Sequence, residues 1–296
     1  MVYLILLLGI TASSSAAILI KLSDAHPLVI AAYRMAIASA ILIPWSLARH
    51  REETLRLIRH RTAAVLGSSI FLAVHFATWI SSLSHTSVAS SALLVTTNPI
   101  FVGLGAWLLL REHIHPRLIV GTLVALSGTF LISFGDLVSG GNALYGDLLA
   151  VSGAVAMSGH LLIGRIQRRD IALTPYVTVV YTMAALLLVL ICVAAGQTLG
   201  GHGLRNYSLF FALAIGPQLM GHTSFNYSLK RISPSILALL LLAEPIGSTI
   251  LAYFVLGEVP SSSTYVGGGV IISGVVIALL KQRNDPENRE TRSPLA

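Results

Sequence analysis

Residues 236–258, ILALLLLAEPIGSTILAYFVLGE, form an apolar run that is long enough to cross a lipid bilayer. About 20 apolar residues span a hydrocarbon core of roughly 30 Å. Glu244 and Pro245 interrupt the run near its centre. A carboxylate at that depth is costly unless it has partners or water, and the proline disturbs the helix beside it. The run therefore predicts a kinked transmembrane helix with a functional carboxylate, or a tolerated kink whose glutamate is paired inside the bundle.

The same pattern occurs earlier in the chain, in residues 83–128. Adding 146 to these residue numbers places them on residues 229–274 without a gap, with 15 identities in 46 positions. The identities that indicate a repeat are those of proline, glutamate and glycine, because leucines match by chance in so apolar a chain. They are Pro99 with Pro245, Glu112 with Glu258, Gly121 with Gly267 and Gly128 with Gly274, while Asn98 takes the place of Glu244. This self-similarity predicts two repeated structural units.

The composition excludes an ordinary soluble domain, because 55% of the residues are hydrophobic and only 10% are charged. About a quarter of the residues in a soluble globular protein are charged. The net charge of +7 does not indicate nucleic acid, since the basic residues lie in short loops between apolar segments. Cys192 is the single cysteine, which rules out a disulfide framework, and we expect it to be packed as a small apolar side chain.

We predict an all-α membrane protein with ten transmembrane helices. The segments are bounded by charges, prolines and polar clusters. They cover residues 2–21, 27–47, 62–83, 86–110, 116–134, 144–164, 174–195, 207–228, 235–256 and 260–280. The stretch from Arg49 to Arg61 is interpreted as a short amphipathic surface helix with Leu55 and Ile58 facing lipid.

The basic residues predict the orientation of these helices. Of the 19 lysines and arginines, 16 follow helices two, four, six and eight or lie in the tail. By the positive-inside rule, both termini are expected in the cytoplasm. Five helices in each unit is an odd number, so the second unit enters the membrane upside down. We predict two inverted repeats, residues 1–140 and 141–281, followed by a disordered cytoplasmic tail at 282–296.

The doubled motif resembles the drug/metabolite transporter superfamily. It consists of Asn98, Pro99, Arg111 and Glu112 and its echo Glu244, Pro245, Gly257 and Glu258, each followed by the two repeated glycines. The chain is similar to the bacterial ten-helix exporters of the EamA branch, and by overall likeness to the aromatic amino acid exporters. The resemblance covers residues 1–281 and implies export of a small molecule through a central cavity between two five-helix units of an inner-membrane protein.

Polar and aromatic residues near the helix midpoints are the candidate substrate-binding groups. His75, Trp79 and Ser82 share one face of their helix, as do Gln218, His222 and Asn226. The full set of candidates is His75, Trp79, Ser82, Thr97, Asn98, Ser158, Gln218, His222, Asn226 and Glu244, with Pro99 and Pro245 as helix kinks. His160 and the serines at 13–15 are further polar residues at this depth.

Each candidate also has a structural interpretation. Serines 13–15 are typical of close helix packing, Trp79 of an interfacial aromatic belt, and the histidines of satisfied core donors. Arg34 lies only seven residues after Pro27, so we expect it to snorkel to the outer headgroups or to form a structural bond, although a role with a substrate carboxylate stays open.

The first functional hypothesis is export of an amino acid, especially an aromatic one, or of a related metabolite by alternating access. The alternative is efflux of lipophilic cationic drugs, with Glu244 exchanging drug for proton. The sequence lacks the zinc, nucleophile-elbow and phosphate-loop motifs of an enzyme, so we predict no catalytic residues, metal or cofactor. The expected partners are a small-molecule substrate and the lipid bilayer, for a monomeric chain that binds no nucleic acid.

Overall fold

A computed structural model describes residues 1–110, 116–139 and 142–279, and this part of the chain is helical without a β-strand. Arg111, Glu112, His113, His115 and the predicted tail at 282–296 lie outside the described residues. The helices are α1 (Val2–Ser14), α2 (Ala16–Lys21), α3 (Pro27–Arg49), α4 (Arg51–His60), α5 (Thr62–Ser82), α6 (Val88–Val95), α7 (Asn98–Leu110), α8 (Pro116–Ser139), α9 (Ala143–Gln167), α10 (Leu173–Ala194), α11 (Leu204–Leu213), a π-helix (Ala214–His222), α12 (Thr223–Ser228), α13 (Pro234–Leu240), α14 (Ala243–Leu256) and α15 (Ser262–Leu279).

Seven helical segments among the described residues are long and apolar enough to cross a membrane. Three of them join two consecutive helices, which are α1 with α2, α6 with α7, and α13 with α14. The prediction of an all-helical membrane protein is confirmed for the described part of the chain. The main helix pairs are α8 with α15, α5 with α9, and α3 with α10.

The repeated glycines form the contact between α8 and α15. A Cβ atom on Gly128 would lie 2.6 Å from the Gly267 carbonyl oxygen, and one on Gly274 would lie 2.6 Å from the Gly121 carbonyl oxygen. Both distances are far inside van der Waals contact, so only glycine allows the two backbones to approach this closely. The low number in one helix pairs with the high number in the other, which means that α8 and α15 run antiparallel.

Glycines also allow close contact in two other helix pairs, α5 with α9 and α1 with the π-helix. A Cβ on Gly153 of α9 would lie 3.2 Å from Trp79 Cβ of α5, and one on Gly159 would meet the Phe71 ring at 2.7 Å. These two contacts show that α5 and α9 run antiparallel. A Cβ on Gly221 of the π-helix would lie 2.6 Å from the Ser13 hydroxyl of α1. Bulky side chains are therefore excluded from both of these helix pairs.

The repeated glutamate has a structural role at the end of α14. Gly257 ends this helix with a left-handed φ of 66°, which favours a residue without a Cβ. The next residue, Glu258, accepts a hydrogen bond through Oε1 from the Val88 N–H at 2.8 Å, in the first turn of α6. A carboxylate at a helix N-terminus satisfies a free donor and the helix dipole. Glu258 therefore fastens the end of α14 to the start of α6.

The Arg-rich segment forms the amphipathic helix α4. Thr54 and Leu57 are its buried residues, whereas Leu55 is half-buried and Ile58 is exposed. Glu53 Oε1 accepts a hydrogen bond from the Ala172 N–H at 2.7 Å, just before α10 begins. The helix thus packs on the bundle through Leu57 and leaves Ile58 on its outer surface.

Candidate functional site

Two interrupted helices frame the candidate site. The first break separates α6 from α7 at Thr96 and Thr97, and the second separates α13 from α14 at Leu241 and Leu242. The breaks lie 145 residues apart, within one residue of the repeat. Pro99 and Pro245 each lie in the first turn of the helix that follows, where a missing N–H costs little. The prolines therefore begin the second half-helices, and Asn98 and Glu244 lie at their N-terminal ends.

Two serines bind the backbone at these half-helix ends. Ser158 of α9 donates a hydrogen bond to the Asn98 carbonyl oxygen at 3.0 Å. Ser14 of α1 donates to the Glu244 carbonyl oxygen at 3.2 Å. Asn98 and Glu244 are equivalent under the 146-residue repeat, so the same kind of bond occurs at corresponding positions of the two halves. In each half, a serine from another helix thus satisfies a backbone carbonyl oxygen beside the helix break.

A cavity of about 40 Å³, measured as the space open to the centre of a water molecule, lies between the two breaks. At roughly 10 to 15 Å³ per water centre it has room for about three waters. Its walls combine aromatic, apolar and hydrogen-bonding side chains with a single carboxylate. The lining residues are His75, Trp79, Val95, Thr96, Asn98, Met157, His222, Phe225, Leu241 and Glu244.

Aromatic rings form one wall of the cavity. His75 and Trp79 are stacked with ring centroids 5.9 Å apart and an interplanar angle of 8°. Trp79 is only 6% exposed, so it lies inside the bundle and not in an interfacial belt. His222 lies 5.9 Å from the His75 ring and 5.2 Å from the Phe225 ring. This wall offers flat apolar surface of the kind that an aromatic ligand contacts.

The hydrogen bond of His75 indicates which of its ring nitrogens is the donor and which is the acceptor. His75 Nδ1 lies 2.9 Å from the Gly153 carbonyl oxygen. A carbonyl oxygen only accepts, so Nδ1 carries the proton, and Nε2 of the neutral ring is an acceptor. Trp79 Nε1 and Asn98 Oδ1 are buried without a hydrogen-bonding partner among the described residues. The cavity therefore offers both donors and acceptors to a ligand.

Five of the ten predicted site residues line the cavity, namely His75, Trp79, Asn98, His222 and Glu244. The other five are buried beside it and hydrogen-bonded within the protein. Ser82 donates to Trp79 O and pairs with Ser91, Thr97 donates to Leu94 O, Ser158 donates to Asn98 O, Gln218 accepts from Arg34 Nε, and Asn226 donates to His222 O.

Five further lining residues are not among the predicted candidates, namely Val95, Thr96, Met157, Phe225 and Leu241. Four of them are apolar side chains that nothing distinguishes from lipid-facing or core residues. Thr96 and Leu241 could have been found, because they lie beside the expected helix breaks. Phe225 also follows His222 by three residues, which places the two on one helix face.

A buried polar network lies beside the cavity. His160 Nδ1 lies 2.9 Å from the Ser68 hydroxyl, which is also 2.8 Å from the Tyr176 hydroxyl. On its other side, His160 Nε2 lies 3.5 Å from Asn226 Nδ2. The network joins α5, α9, α10 and α12, and it gives His160 a satisfied position outside the cavity lining.

Arg34 does not snorkel to a membrane surface. The side chain is 0% exposed, and its Nε donates a hydrogen bond to Gln218 Oε1 at 2.8 Å. The guanidinium carbon also lies 4.2 Å from the centre of the Phe76 ring. Of the two expectations for Arg34, snorkelling is wrong and a structural bond is present, because the side chain turns inward toward the π-helix, in which Pro217 immediately precedes Gln218. Pro217 was the signal in the sequence for this irregular segment.

Comparison with known proteins places this geometry in a family. An uncharacterized transporter of Archaeoglobus fulgidus is 24% identical over 289 residues, which cover 94% of this chain and 97% of that protein. A probable terminal-alkyne amino-acid exporter of Streptantibioticus cattleyicolor is 29% identical over 222 residues, covering 71% of this chain and 69% of that exporter. A solved crystal structure is similar with a TM-score of 0.70 at 22% identity, covering 96% of this chain and 99% of that chain.

The family model described as the EamA-like transporter family matches residues 1–134 and again residues 144–280. The two matches cover nearly the whole chain as two copies of one unit. The resemblance drawn from the doubled proline and glutamate motif is therefore confirmed, and the chain belongs to the EamA-like transporter family.

Proposed function

We propose that this protein exports amino acids, aromatic ones in particular, or related small metabolites by alternating access through the cavity between the two helix breaks. The observation that carries the proposal is the composition of that cavity. Aromatic rings, neutral hydrogen-bonding groups and one carboxylate surround it, and its described lining contains no lysine or arginine. A phosphorylated cargo would require a cluster of basic donors. A zwitterion with an apolar side chain suits the cavity better.

The proposed architecture is ten transmembrane helices in two inverted five-helix units. Support comes from α8 and α15, which hold equivalent positions in the repeat and nevertheless run antiparallel in contact. Equivalent helices of a parallel repeat would run in the same direction across the membrane. Inverted repeats supply two pseudo-equivalent conformations that open to opposite sides, with the substrate site at their interface.

We interpret the described conformation as a closed intermediate of this cycle. A cavity with room for about three waters is too small for an amino acid, so the halves must separate for loading. On one side, the Ala172 N–H of the second unit donates to Glu53 Oε1 of the first unit at 2.7 Å. On the other, Tyr33 donates to the Leu199 carbonyl oxygen at 2.5 Å, and Ser23 to Asn206 Oδ1 at 2.8 Å. Opening either side requires the breaking of one of these sets.

The proposed location is the inner membrane of a bacterium, with both termini in the cytoplasm and the chain acting as a monomer. The basic loops support the orientation. The amino-acid exporter among the relatives supports the direction of transport and the substrate class.

One observation favours the alternative function, efflux of lipophilic cations. Glu244 is the single carboxylate of the cavity wall and adjoins aromatic surface, and such a pair also binds cationic drugs. The two functions differ in cargo and in their dependence on protons, so one transport assay separates them.

We expect the purified protein in liposomes to exchange labelled amino acids in a counterflow screen. The panel is tryptophan, phenylalanine, threonine, cysteine and a nucleotide sugar. Exchange of an aromatic amino acid above protein-free liposomes, without exchange of the nucleotide sugar, is the expected result, because the described residues around the cavity include no cluster of basic side chains for a diphosphate. Extrusion of a cationic dye in exchange for protons, together with no amino acid exchange, would instead establish the alternative.

A further inference from the structure

Hydrogen-bond donors cluster around Arg34 without matching acceptors. Arg34 Nε is bonded to Gln218 Oε1, but Arg34 Nη1 and Nη2 have no hydrogen-bonding partner among the described residues. Gln218 Nε2 is likewise buried without one. Both residues are 0% exposed. Three unpartnered donor nitrogens, two of them on a charged guanidinium, are costly in the membrane interior, and an anion would satisfy all three.

This donor cluster is separated from the cavity by a single layer of rings. The guanidinium carbon of Arg34 lies 4.2 Å from the centre of the Phe76 ring, and that ring lies 5.0 Å from the His222 ring in the cavity wall. Tyr181 lies beside Gln218 and shares a hydrogen bond with Thr223 at 3.3 Å. A side-chain rotation of Phe76 or His222 would therefore connect the cluster with the cavity.

Arg34 has no ion-pair partner in the part of the chain that the structure describes. The ion pairs among the described residues join Arg61 with Asp170 and Arg205 with Asp24. Glu244 is near enough to interact with Arg34 electrostatically, but the two side chains do not pair. Arg34 and Glu244 thus lie near each other without forming an ion pair.

We propose that Arg34 and Gln218 bind the carboxylate of the transported amino acid, while Glu244 and Asn98 face its ammonium group. This inference rests on the proposed function and adds the orientation of the bound substrate. The planar guanidinium can give both Nη atoms to one carboxylate, since Gln218 already holds its Nε. Gln218 Nε2 adds a third bond from the same side. The substrate side chain then lies against His75, Trp79 and Phe225.

The π-helix explains why a glutamine can reach this position. Pro217 cannot continue the regular hydrogen bonding of α11, and the nine residues Ala214–His222 form a π-helix instead. π-helical segments are rare in proteins, and those that occur are often found at functional sites. Both Gln218 and His222 belong to this segment, so one irregular element supplies Gln218 to the carboxylate site and His222 to the aromatic wall.

The test is Gln218→Glu, which places an internal carboxylate beside Arg34 with almost no change of shape. The matched control is Gln167→Glu, because Gln167 Oε1 also accepts from an arginine, Arg61 Nη1 at 3.4 Å, away from the cavity. Binding is measured as thermal stabilisation of the purified protein over a concentration series. The ligands are L-phenylalanine, L-phenylalaninamide and phenylacetate, so that the free carboxylate and the amino acid are compared.

In the wild type we expect half-maximal stabilisation by L-phenylalaninamide to require at least about tenfold more ligand than stabilisation by L-phenylalanine, since a charge-assisted bond is lost. Gln218→Glu should weaken both carboxylate ligands at least about tenfold and leave the amide no weaker. Gln167→Glu should bind like the wild type. An unchanged preference for the acid in Gln218→Glu, or equal binding of acid and amide by the wild type, would overturn the proposal.

The experiments distinguish a failure of the carboxylate site from a failure of the proposed amino acid export. Stabilisation by phenylacetate that Gln218→Glu abolishes, without amino acid counterflow, would retain the carboxylate site and refute amino acid export. Counterflow in the wild type with no effect of Gln218→Glu on the preference for the acid would refute the carboxylate site alone. If neither L-phenylalanine nor phenylacetate stabilises the wild type, the carboxylate site is refuted.

Discussion

Glu244→Gln is expected to slow amino acid counterflow at least about tenfold, because the cavity loses its carboxylate and with it the charged partner of the substrate ammonium group. Glutamine keeps the size of the side chain, so the Ser14 bond to the residue 244 carbonyl and the start of α14 should survive. The measurement is the initial rate of exchange in liposomes that contain equal amounts of folded protein. We expect the remaining flux not to depend strictly on a proton gradient.

Glu258→Gln is the matched control for this change. Its carboxylate lies at the far end of α14 and accepts one hydrogen bond from Val88 N–H, which an amide oxygen can also accept. We expect this variant to transport like the wild type. Wild-type exchange rates in Glu244→Gln would contradict the assignment of Glu244 to the substrate.

The second large effect concerns the glycine contact between α8 and α15. Gly128→Leu and Gly274→Leu should each destabilise the protein by about 3 kcal/mol, the upper part of the range for overpacking. The atoms that the new side chains meet belong to the backbone of the partner helix, at 2.6 Å from the new Cβ, so no side-chain rotation relieves the clash. The measurement is the thermal unfolding midpoint of the purified protein.

Gly269→Leu provides the comparison on α15, the helix that carries Gly274. A Cβ at this position meets nothing within 4 Å. Its unfolding midpoint should match that of the wild type, whereas the two contact variants unfold several degrees lower. Equal midpoints for Gly128→Leu and Gly269→Leu would show that the close contact does not stabilise the fold.

The doubled motif was the main signal in the sequence for the fold. Pro99 and Pro245 predicted irregular helices, and a helix break lies shortly before each of them. The glycine pairs predicted equivalent helices but not their mutual contact, since a sequence offset says nothing about which equivalent elements touch. The antiparallel contact of Gly128 with Gly267 became visible only in the structure.

The candidate site was harder to predict than the fold. Charged and aromatic residues such as Glu244 and Trp79 are conspicuous in an apolar chain, and both line the cavity. Met157 and Phe225 are not conspicuous, because lipid and cavity accept the same apolar side chains. Ser82 and Thr97 seemed candidates by depth, but each donates to the backbone carbonyl three residues before it, which hydroxyl side chains commonly do.

Arg34 shows the limit of an argument from depth alone. Its distance along the helix from Pro27 allowed the side chain to reach the headgroups, and the sequence does not say which way it turns. The partner that holds it inward, Gln218, is 184 residues away. Only packing of α3 against the π-helix brings the two together.

The central claim is that the broken ends of two equivalent helices meet at a cavity that water and substrate enter. Labelling of Asn98→Cys in a Cys192→Ala background tests it most directly, with a small membrane-impermeant thiol reagent on sealed liposomes. Leu186→Cys, on the outward face of α10, is the lipid-facing control. We predict that Asn98→Cys reacts and that L-phenylalanine protects it, while Leu186→Cys stays unreactive. Equal unreactivity at both positions would contradict the account.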